Sequence, residues 1–381
     1  MTRPYLDFYE QNQIIPVRQD LSDMARHFAR RRALYHHLGL LPGLVRGRQV
    51  LEIGPGTGDN ALYTASLAPA RYVMVDGNPH SISALAAKQA DGMFGATPVE
   101  VRQGNLLAMD IPERFDVVLC EGLLPPQQDP VGFLNHVAGL VAPDGVLVVT
   151  TMSHTSLLAE TCRRALRPLF ERQDGLSALA SRMAAFFRPD LLSLPGMSRL
   201  HEDWVVDQIL HPYGRNIVFT LEDVVRTLGG GFDTVGTSPR LLQDWRWFKS
   251  VPESTQPEWE RVADQLAGWS LSLIDYRLPP VAVEPALGRQ VEALCGEAWD
   301  IHLDLKDAGD TAVLDAFLDK VAAVRTLLPP PWASTAAALD AFLAGAPRLW
   351  RGEADDLRDF RSLFGRGQQY IMVSRTQPAT R

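Results

Sequence analysis

Between residues 48 and 151 short apolar runs alternate with stretches of helical periodicity. Arg48–Ile53, Tyr72–Asp76, Val99–Arg102, Phe115–Cys120 and Gly145–Thr151 read as strands, and Asn60–Leu67, 80–90 and 131–141 as the helices between them. Apolar strands separated by helices belong to a parallel sheet covered on both faces. Ahead of them Leu21, Met24, Phe28 and Leu38 fall roughly on one face, predicting a helix over 21–38 capped by Asp20, Ser22 or Asp23. After Thr151 the alternation stops: 155–187 reads as helical and 188–218 as irregular, with several prolines. Thr220–Leu228 reads as a helix ended by Gly229-Gly-Gly231, Phe232–Thr237 as a sixth strand and Gln368–Ser374 as the last. The stretch between these two strands looks all-helical. Trp259, Val262, Leu266, Trp269 and Leu273 form one stripe, and Leu314, Phe317, Val321 and Val324 another, with Pro329-Pro-Pro331 as punctuation. The tryptophans read as packing between helices.

The pattern predicts an α/β fold: a doubly wound, mostly parallel seven-stranded sheet plus a large α-helical insertion. The expected division is an N-terminal helical segment or lid over 1–47, a sheet domain over 48–239 and 366–381, and a helical insertion over 240–365. Within the sheet domain, 152–218 is expected as an insertion on the substrate side.

Composition narrows the function. The chain has 381 residues, 46% hydrophobic and 22% charged, as a globular protein does. Its 37 basic and 45 acidic residues give a formal charge of −8, which argues against a nucleic-acid partner. The run Arg30, Arg31 and Arg32 reads as a solvated helix face. Cys120, Cys162 and Cys295 are far apart and odd in number, with neither a disulfide framework nor metal-ligand spacing, so a reducing cytoplasm is the expected setting. Met1–Glu10 has no apolar core of signal-peptide length, and no window approaches 18 uninterrupted apolar residues, so no membrane partner is expected.

The chemistry is concentrated in Val50-Leu-Glu-Ile-Gly-Pro-Gly-Thr-Gly58, where a strand ends, three glycines alternate and a helix begins. Glycines let a ligand lie against the main chain. The dinucleotide fingerprint G-x-G-x-x-G needs glycine where Asp59 stands. The tighter spacing suits a ligand without the pyrophosphate that such a helix start would hold. Asp76 ends the second strand 18 residues after Gly58, where a carboxylate can accept both hydroxyls of a ribose. Gln103-Gly-Asn105-Leu106 follows the third strand, and a polar side chain with an apolar neighbour there could read an adenine edge and pack on its ring. Each residue also has a plainer reading. Glu52 could pair at a strand end, Asp76 could form the turn before Gly77-Asn78-Pro79, and Asn105 could form the turn after Gly104.

With Phe115–Cys120 and Leu140–Val149, these elements resemble in order and spacing the class I S-adenosylmethionine-dependent methyltransferases, which are Rossmann-like, and the resemblance implies an antiparallel last strand in the sheet. The resemblance is close over about residues 48–151 and looser over Thr220–Thr237 and the final strand. It implies S-adenosylmethionine as cofactor. Glu52, Gly54, Gly56 and Gly58 would hold its methionine part, Asp76 its ribose and Asn105 its adenine with Leu106 packed on the ring, and Gly77 and Cys120 would be further cofactor-binding residues. The family more often has Asp where this chain has Asn105, whose side-chain oxygen can still accept from the adenine amino group.

An oxygen or nitrogen acceptor often needs a general base. The candidates are Glu121 after the fourth strand, His154 after the fifth, and His211. His211 lies in the run from Asp207 to Phe219-Thr220, which is similar to a segment bordering the acceptor pocket in many methyltransferases of this class; His201 reads as a surface residue. The pocket is expected to be walled by 201–215 and by 240–365. In the same class N-terminal segments fold over the cofactor, and Tyr9, Arg18, Gln19 and His27 could contribute to that. The stretch through Asn60 is similar to methyltransferases of surface-glycan and natural-product gene clusters. The expected activity is methyl transfer to an oxygen or nitrogen of a small molecule, which the large helical insertion would enclose. The alternatives are a protein or RNA methyltransferase and a non-catalytic module that binds the cofactor. The fourth strand lacks the N-P-P-Y tetrapeptide of many base- and glutamine-methylating enzymes and continues Cys120-Glu-Gly-Leu123. The helical insertion could also serve as a homodimer interface.

Overall fold

The computed structural model describes residues 21–197, 200–243, 247, 249–250, 256–307 and 309–376. Tyr9, Arg18, Gln19 and Asp20 lie outside them. Two compact units divide the described residues.

The sheet-bearing unit holds residues 21–151, 218–266 and 369–376. It begins with α1 (Met24–Leu38), capped by Asp23, whose side chain accepts from the Arg26 amide. A single turn, α2 (Pro42–Val45), leads into β1 (Gln49–Ile53), α3 (Ala61–Ser66), β2 (Arg71–Asp76), α4 (Pro79–Ala90), β3 (Val99–Gln103), β4 (Phe115–Cys120), α5 (Pro130–Gly139) and β5 (Val141–Thr151). Later come α9 (Leu221–Leu228), β6 (Phe232–Ser238) and β7 (Gln369–Arg375). The strands form one seven-stranded sheet in the order β3-β2-β1-β4-β5-β7-β6. Pairing is parallel from β3 to β5, and β7 runs antiparallel to both β5 and β6. The doubly wound sheet read from the sequence is the one observed. The fifth strand starts four residues earlier than its apolar run, because Phe115 pairs with Val141 and the register then shifts before Val117 pairs with Val146. The polar Pro143-Asp144-Gly145 is thus a bulge inside the strand, not a turn before it.

The helical unit holds residues 152–217 and 267–368, the division running through α10 (Glu258–Ser270). It contains α6 (His154–Ala165), α7 (Leu176–Leu192), α8 (His201–Val205), α11 (Pro285–His302), α12 (Thr311–Leu327) and α13 (Ala333–Trp350). The expectation places 152–218 within the sheet domain. It shares one apolar core with 267–368 instead: Leu158, Cys162, Phe187, Ile209, Cys295, Phe317, Trp332 and Phe342 belong to a single cluster. The single helix expected over 155–187 is two, because the chain is interrupted at Arg167-Pro168 and Gly175 takes φ +89°.

The stretch 188–218 is less irregular than expected. Its buried pairs Trp204-Val205 and Ile209-Leu210 are five residues apart, a spacing that does not fit period 3.6. That spacing suits the π-helical turn Val206–Leu210 that continues α8. In α10 the buried residues are Ala263, Leu266, Ala267 and Gly268, and Trp259, Val262 and Trp269 are only half-buried, so the stripe sits slightly around the helix from its predicted place. Trp204, Trp299, Trp332 and Trp350 are core residues, as packing between helices requires. No described helix is long and apolar enough to cross a membrane.

In the sheet-bearing unit Gly39 ends α1 with φ +83°, and the helix end meets the edge strand. A Cβ on Gly236 of β6 would lie 2.7 Å from the Leu38 carbonyl oxygen and 3.0 Å from that of His37, both backbone atoms that cannot step aside. Gly236→Ala should therefore destabilise the protein by about 1–3 kcal/mol. Denaturant unfolding measures this, and an unchanged midpoint would show that α1 does not rest on β6.

Candidate active site

Strand register brings the functional loops to one level. Ile53 pairs with both Val75 and Cys120, and Asp76 with Gln103. The chain therefore leaves the carboxyl ends of β1, β2, β3 and β4 together, at Gly54, Gly77, Gly104 and Glu121. Ligands of open α/β sheets bind outside such ends. The glycines of the first loop are not equivalent. A Cβ on Gly54 would meet the Leu123 side chain at 2.4 Å and one on Gly58 the Leu85 side chain at 2.4 Å, so both serve close packing. Gly56, at φ +57°, has nothing within 4 Å of that position and opens on free space. Where a dinucleotide loop has its last glycine, Asp59 pairs with Lys88 at 3.0 Å.

Asp76 both ends β2 and braces this loop. One carboxylate oxygen accepts from the Gly56 amide at 3.1 Å, the other from the Asn78 amide at 2.8 Å. The turn-former reading is thus realised, and it shapes the loop rather than competing with it. Burial raises the Asp76 pKa, opposed by the hydrogen bonds from Asn78, Gly56, Ser81 and Gly77. Asn105 likewise forms a turn, its side-chain oxygen accepting from the Leu107 amide at 3.2 Å and leaving a lone pair for a ligand. Leu106 and Cys120 are both buried, and burial pushes the Cys120 thiol up.

Glu52 is buried at the end of β1, where the Tyr72 hydroxyl donates to it. Burial, then the charge of Glu121, push its carboxyl up to about 8; Arg31 opposes them and Asp76 adds to them. Glu121 in turn sits in a guanidinium fork: Arg31 Nη2 donates to Oε1 at 2.6 Å and Nη1 to Oε2 at 2.8 Å. Both of its oxygens are committed to a cation, which leaves it poorly suited to accept a substrate proton.

The two histidine candidates belong to the helical unit. His154 opens α6, where Glu292 takes its amide at 2.6 Å and the Thr155 amide at 2.9 Å. Burial lowers the imidazole pKa, Glu292 and Asp300 opposing. Its Nδ1 is buried and has no hydrogen-bond partner among the described residues. His211 is fully enclosed, and burial brings it down to about 4, Asp207 opposing and Arg164 adding to the drop. The rings of Trp299 and Tyr213 link the two histidines, with centroids 6.2 Å from His154 to Trp299, 6.3 Å from Trp299 to Tyr213 and 4.3 Å from Tyr213 to His211.

Sequence reasoning misses Arg31, which reads as one of three solvated arginines. Arg30 and Arg32 are exposed, but Arg31 is buried. The signal is in the chain: His27, Arg31, Tyr35 and Leu38 share one helical face, and all four are buried. His27 meets the Asp59 carbonyl at 3.0 Å, and Tyr35 shares a 2.7 Å hydrogen bond with Thr64. Tyr72, the hydroxyl donor to Glu52, reads from the sequence only as a strand residue.

Residues 44–172 match the family model described as a methyltransferase domain. The chain is 34% identical over 113 residues to the mitochondrial ubiquinone biosynthesis O-methyltransferase of Schizosaccharomyces pombe, covering 29% of this chain and 40% of that protein. It is 30% identical over 109 residues to the ubiquinone biosynthesis O-methyltransferase of Pseudomonas entomophila, covering 28% and 45%. The chain thus spans less than half the length of these two curated relatives. Among solved structures, PKMT2 from Rickettsia typhi in complex with AdoHcy aligns at 19% identity and a TM-score of 0.43, covering 54% of this chain and 43% of that one.

The state of Glu52 has a measurable consequence. Between the usual value of 4.5 and about 8 the folded protein keeps a proton that the unfolded chain has released. Stability therefore falls as pH rises through that window. Glu52→Gln should remove this part of the slope, so the difference in denaturant midpoint between variant and wild type should grow in the variant's favour from about pH 5 to pH 8. Parallel curves would show that Glu52 ionises normally.

Proposed function

We propose that this chain, whose residues 44–172 belong to the class I S-adenosylmethionine-dependent methyltransferase family, transfers a methyl group to an oxygen or nitrogen of a small-molecule acceptor. The observation that carries the reading is the glycine loop: two glycines packed against side chains, and Gly56 between them open to space and braced by Asp76. The residues present fit the cofactor. The open face at Gly56 admits a ligand against the backbone, and the carboxyl groups of Glu52 and Asp76 suit its amino and ribose groups. Asp59 at the helix start disfavours a pyrophosphate. When bound, S-adenosylmethionine supplies a methyl carbon activated by its sulfonium. The curated relatives over this stretch are named for O-methyl transfer in ubiquinone biosynthesis, which favours a small acceptor and an oxygen over a macromolecule.

For the proton that such an acceptor gives up, His154 is the best-suited of the three candidates. Burial lowers its imidazole pKa, which favours the neutral form that accepts a proton. Glu121 is held by Arg31 and His211 is enclosed, so neither matches it.

Calorimetry with S-adenosylmethionine tests the first part. The wild type should bind it and should not bind NADH. Gly56→Val, or Gly56→Ala where the larger side chain disturbs folding, should weaken binding at least about tenfold, since a side chain enters the ligand's space from a left-handed backbone. Binding of NADH instead would turn the reading to an oxidoreductase. Incorporation of labelled methyl into the small-molecule fraction of an extract, not its protein or RNA, tests the acceptor class. With an acceptor in hand, His154→Asn should lower kcat about 10²-fold or more without changing cofactor affinity. An unchanged kcat would remove His154 from the mechanism.

A further inference from the structure

Three carboxyl groups, Glu52, Asp76 and Glu121, are largely buried together at the carboxyl ends of β1, β2 and β4. The groups facing Glu52 come from three elements: Tyr72 and Asp76 from β2, Cys120 and Glu121 at the end of β4, and Arg31 and Tyr35 from α1. From β7, Tyr370 faces the Arg31–Glu121 pair. Arg31 is the cation of this set. It reaches Glu121 with both terminal nitrogens, approaches the Tyr35 hydroxyl at 3.4 Å, and stacks over the Tyr35 ring at 5.1 Å. One turn earlier His27 holds the Asp59 carbonyl of the glycine loop, and one turn later Tyr35 holds Thr64 of α3. Residues at i, i+4 and i+8 of one helix thus fasten it to the loop, the end of β4 and the following helix.

We infer that Arg31 is a positioning residue for cofactor binding: its fork on Glu121 fixes the N-terminal half of α1 beside the glycine loop, and its charge offsets the carboxylates there. The inference rests on the methyltransferase reading. S-adenosylmethionine carries positive charge on its sulfonium and amino groups, so it binds better where Glu52 is ionised. Arg31 favours that ionised form and Glu121 opposes it. Removing either partner breaks the same ion pair, yet the two changes act on Glu52 in opposite directions. A purely structural pair has no such signature.

The test is calorimetry of S-adenosylmethionine binding to the full chain from pH 6 to 9, for wild type, Arg31→Met, Arg31→Lys and Glu121→Gln. Wild-type affinity should rise with pH and level off above the Glu52 midpoint. Arg31→Met should weaken binding at neutral pH about tenfold or more and move the midpoint up, because a midpoint higher by about one pH unit leaves about tenfold less ionised Glu52 below it. Arg31→Lys keeps the charge and loses the fork, so its affinity should drop while its midpoint stays near that of wild type. Glu121→Gln should move the midpoint down. Titration of the ligand's own amino group is common to all four and cancels in the differences. The inference is overturned if Arg31→Met binds as wild type does, or if Arg31→Lys and Glu121→Gln both move the midpoint upward. Should Arg31→Met fail to fold, the other two still decide, through an unmoved midpoint for Arg31→Lys and a lowered one for Glu121→Gln. If the wild type binds no S-adenosylmethionine at any pH, it is the methyltransferase reading that fails.

Discussion

Burying carboxyl groups at the ends of adjacent parallel strands is the constraint on which the sheet-bearing unit is organised. A buried carboxylate is costly unless paired or protonated. Each of the three here meets that cost differently. Glu121 takes a guanidinium fork, Asp76 collects backbone amides from its own turn and from the glycine loop, and Glu52 takes a tyrosine hydroxyl and is pushed toward its neutral form. The solutions are coupled, since Glu121 and Asp76 raise the Glu52 pKa and Arg31 lowers it. The shape of the glycine loop, the seat of α1 and the charge of the site therefore depend on one another.

That coupling explains why a helix outside the strand–helix alternation matters. Through His27, Arg31 and Tyr35, α1 reaches three parts of the loop region, and Phe28 packs edge-on against Tyr63 at 5.5 Å. At its other end it abuts β6 with no room for a side chain on Gly236. The helix is held at both ends, one by polar bonds at the loop and one by backbone contact at the sheet edge. Such an element can fix a loop's geometry before a ligand arrives, which lowers the ordering cost of binding.

The strand–helix alternation was legible because period 2 and period 3.6 differ plainly and the glycine loop punctuates them. Asp76, Gly56 and Asn105 were legible as types in a spacing. That Asp76 would brace Gly56 and Asn105 would cap its own turn depends on backbone direction, which spacing does not carry. Arg31 was hidden by its neighbours: three consecutive arginines look alike in composition, and only the helical phase of His27, Arg31 and Tyr35 separates the buried one. The π turn at Val206–Leu210 was hidden for the complementary reason, since its apolar spacing of five matches neither period 2 nor period 3.6.

The helical unit shows what a linear reading of domains leaves out. Its two pieces, 152–217 and 267–368, are insertions in different connections of the sheet, one between β5 and β6 and the other between β6 and β7. Each supplies what the other's buried polar groups require. Glu292 on α11 accepts both leading amides of α6, which would otherwise be unpaired helix ends. Asp190 on α7 is fully buried between Arg163 of α6 at 2.9 Å and Arg361 of the second piece at 2.7 Å. Arg164 ties α6 to the carbonyls of Gln208 and His211, and to His302 on α11 at 3.2 Å. An isolated 152–217 segment would leave Asp190 without one of its two guanidinium partners and the start of α6 without Glu292. Unpaired buried charge is among the most destabilising arrangements a fold can hold. The two insertions are therefore interdependent, and the unit they build is defined by these cross-bonds, not by sequence continuity.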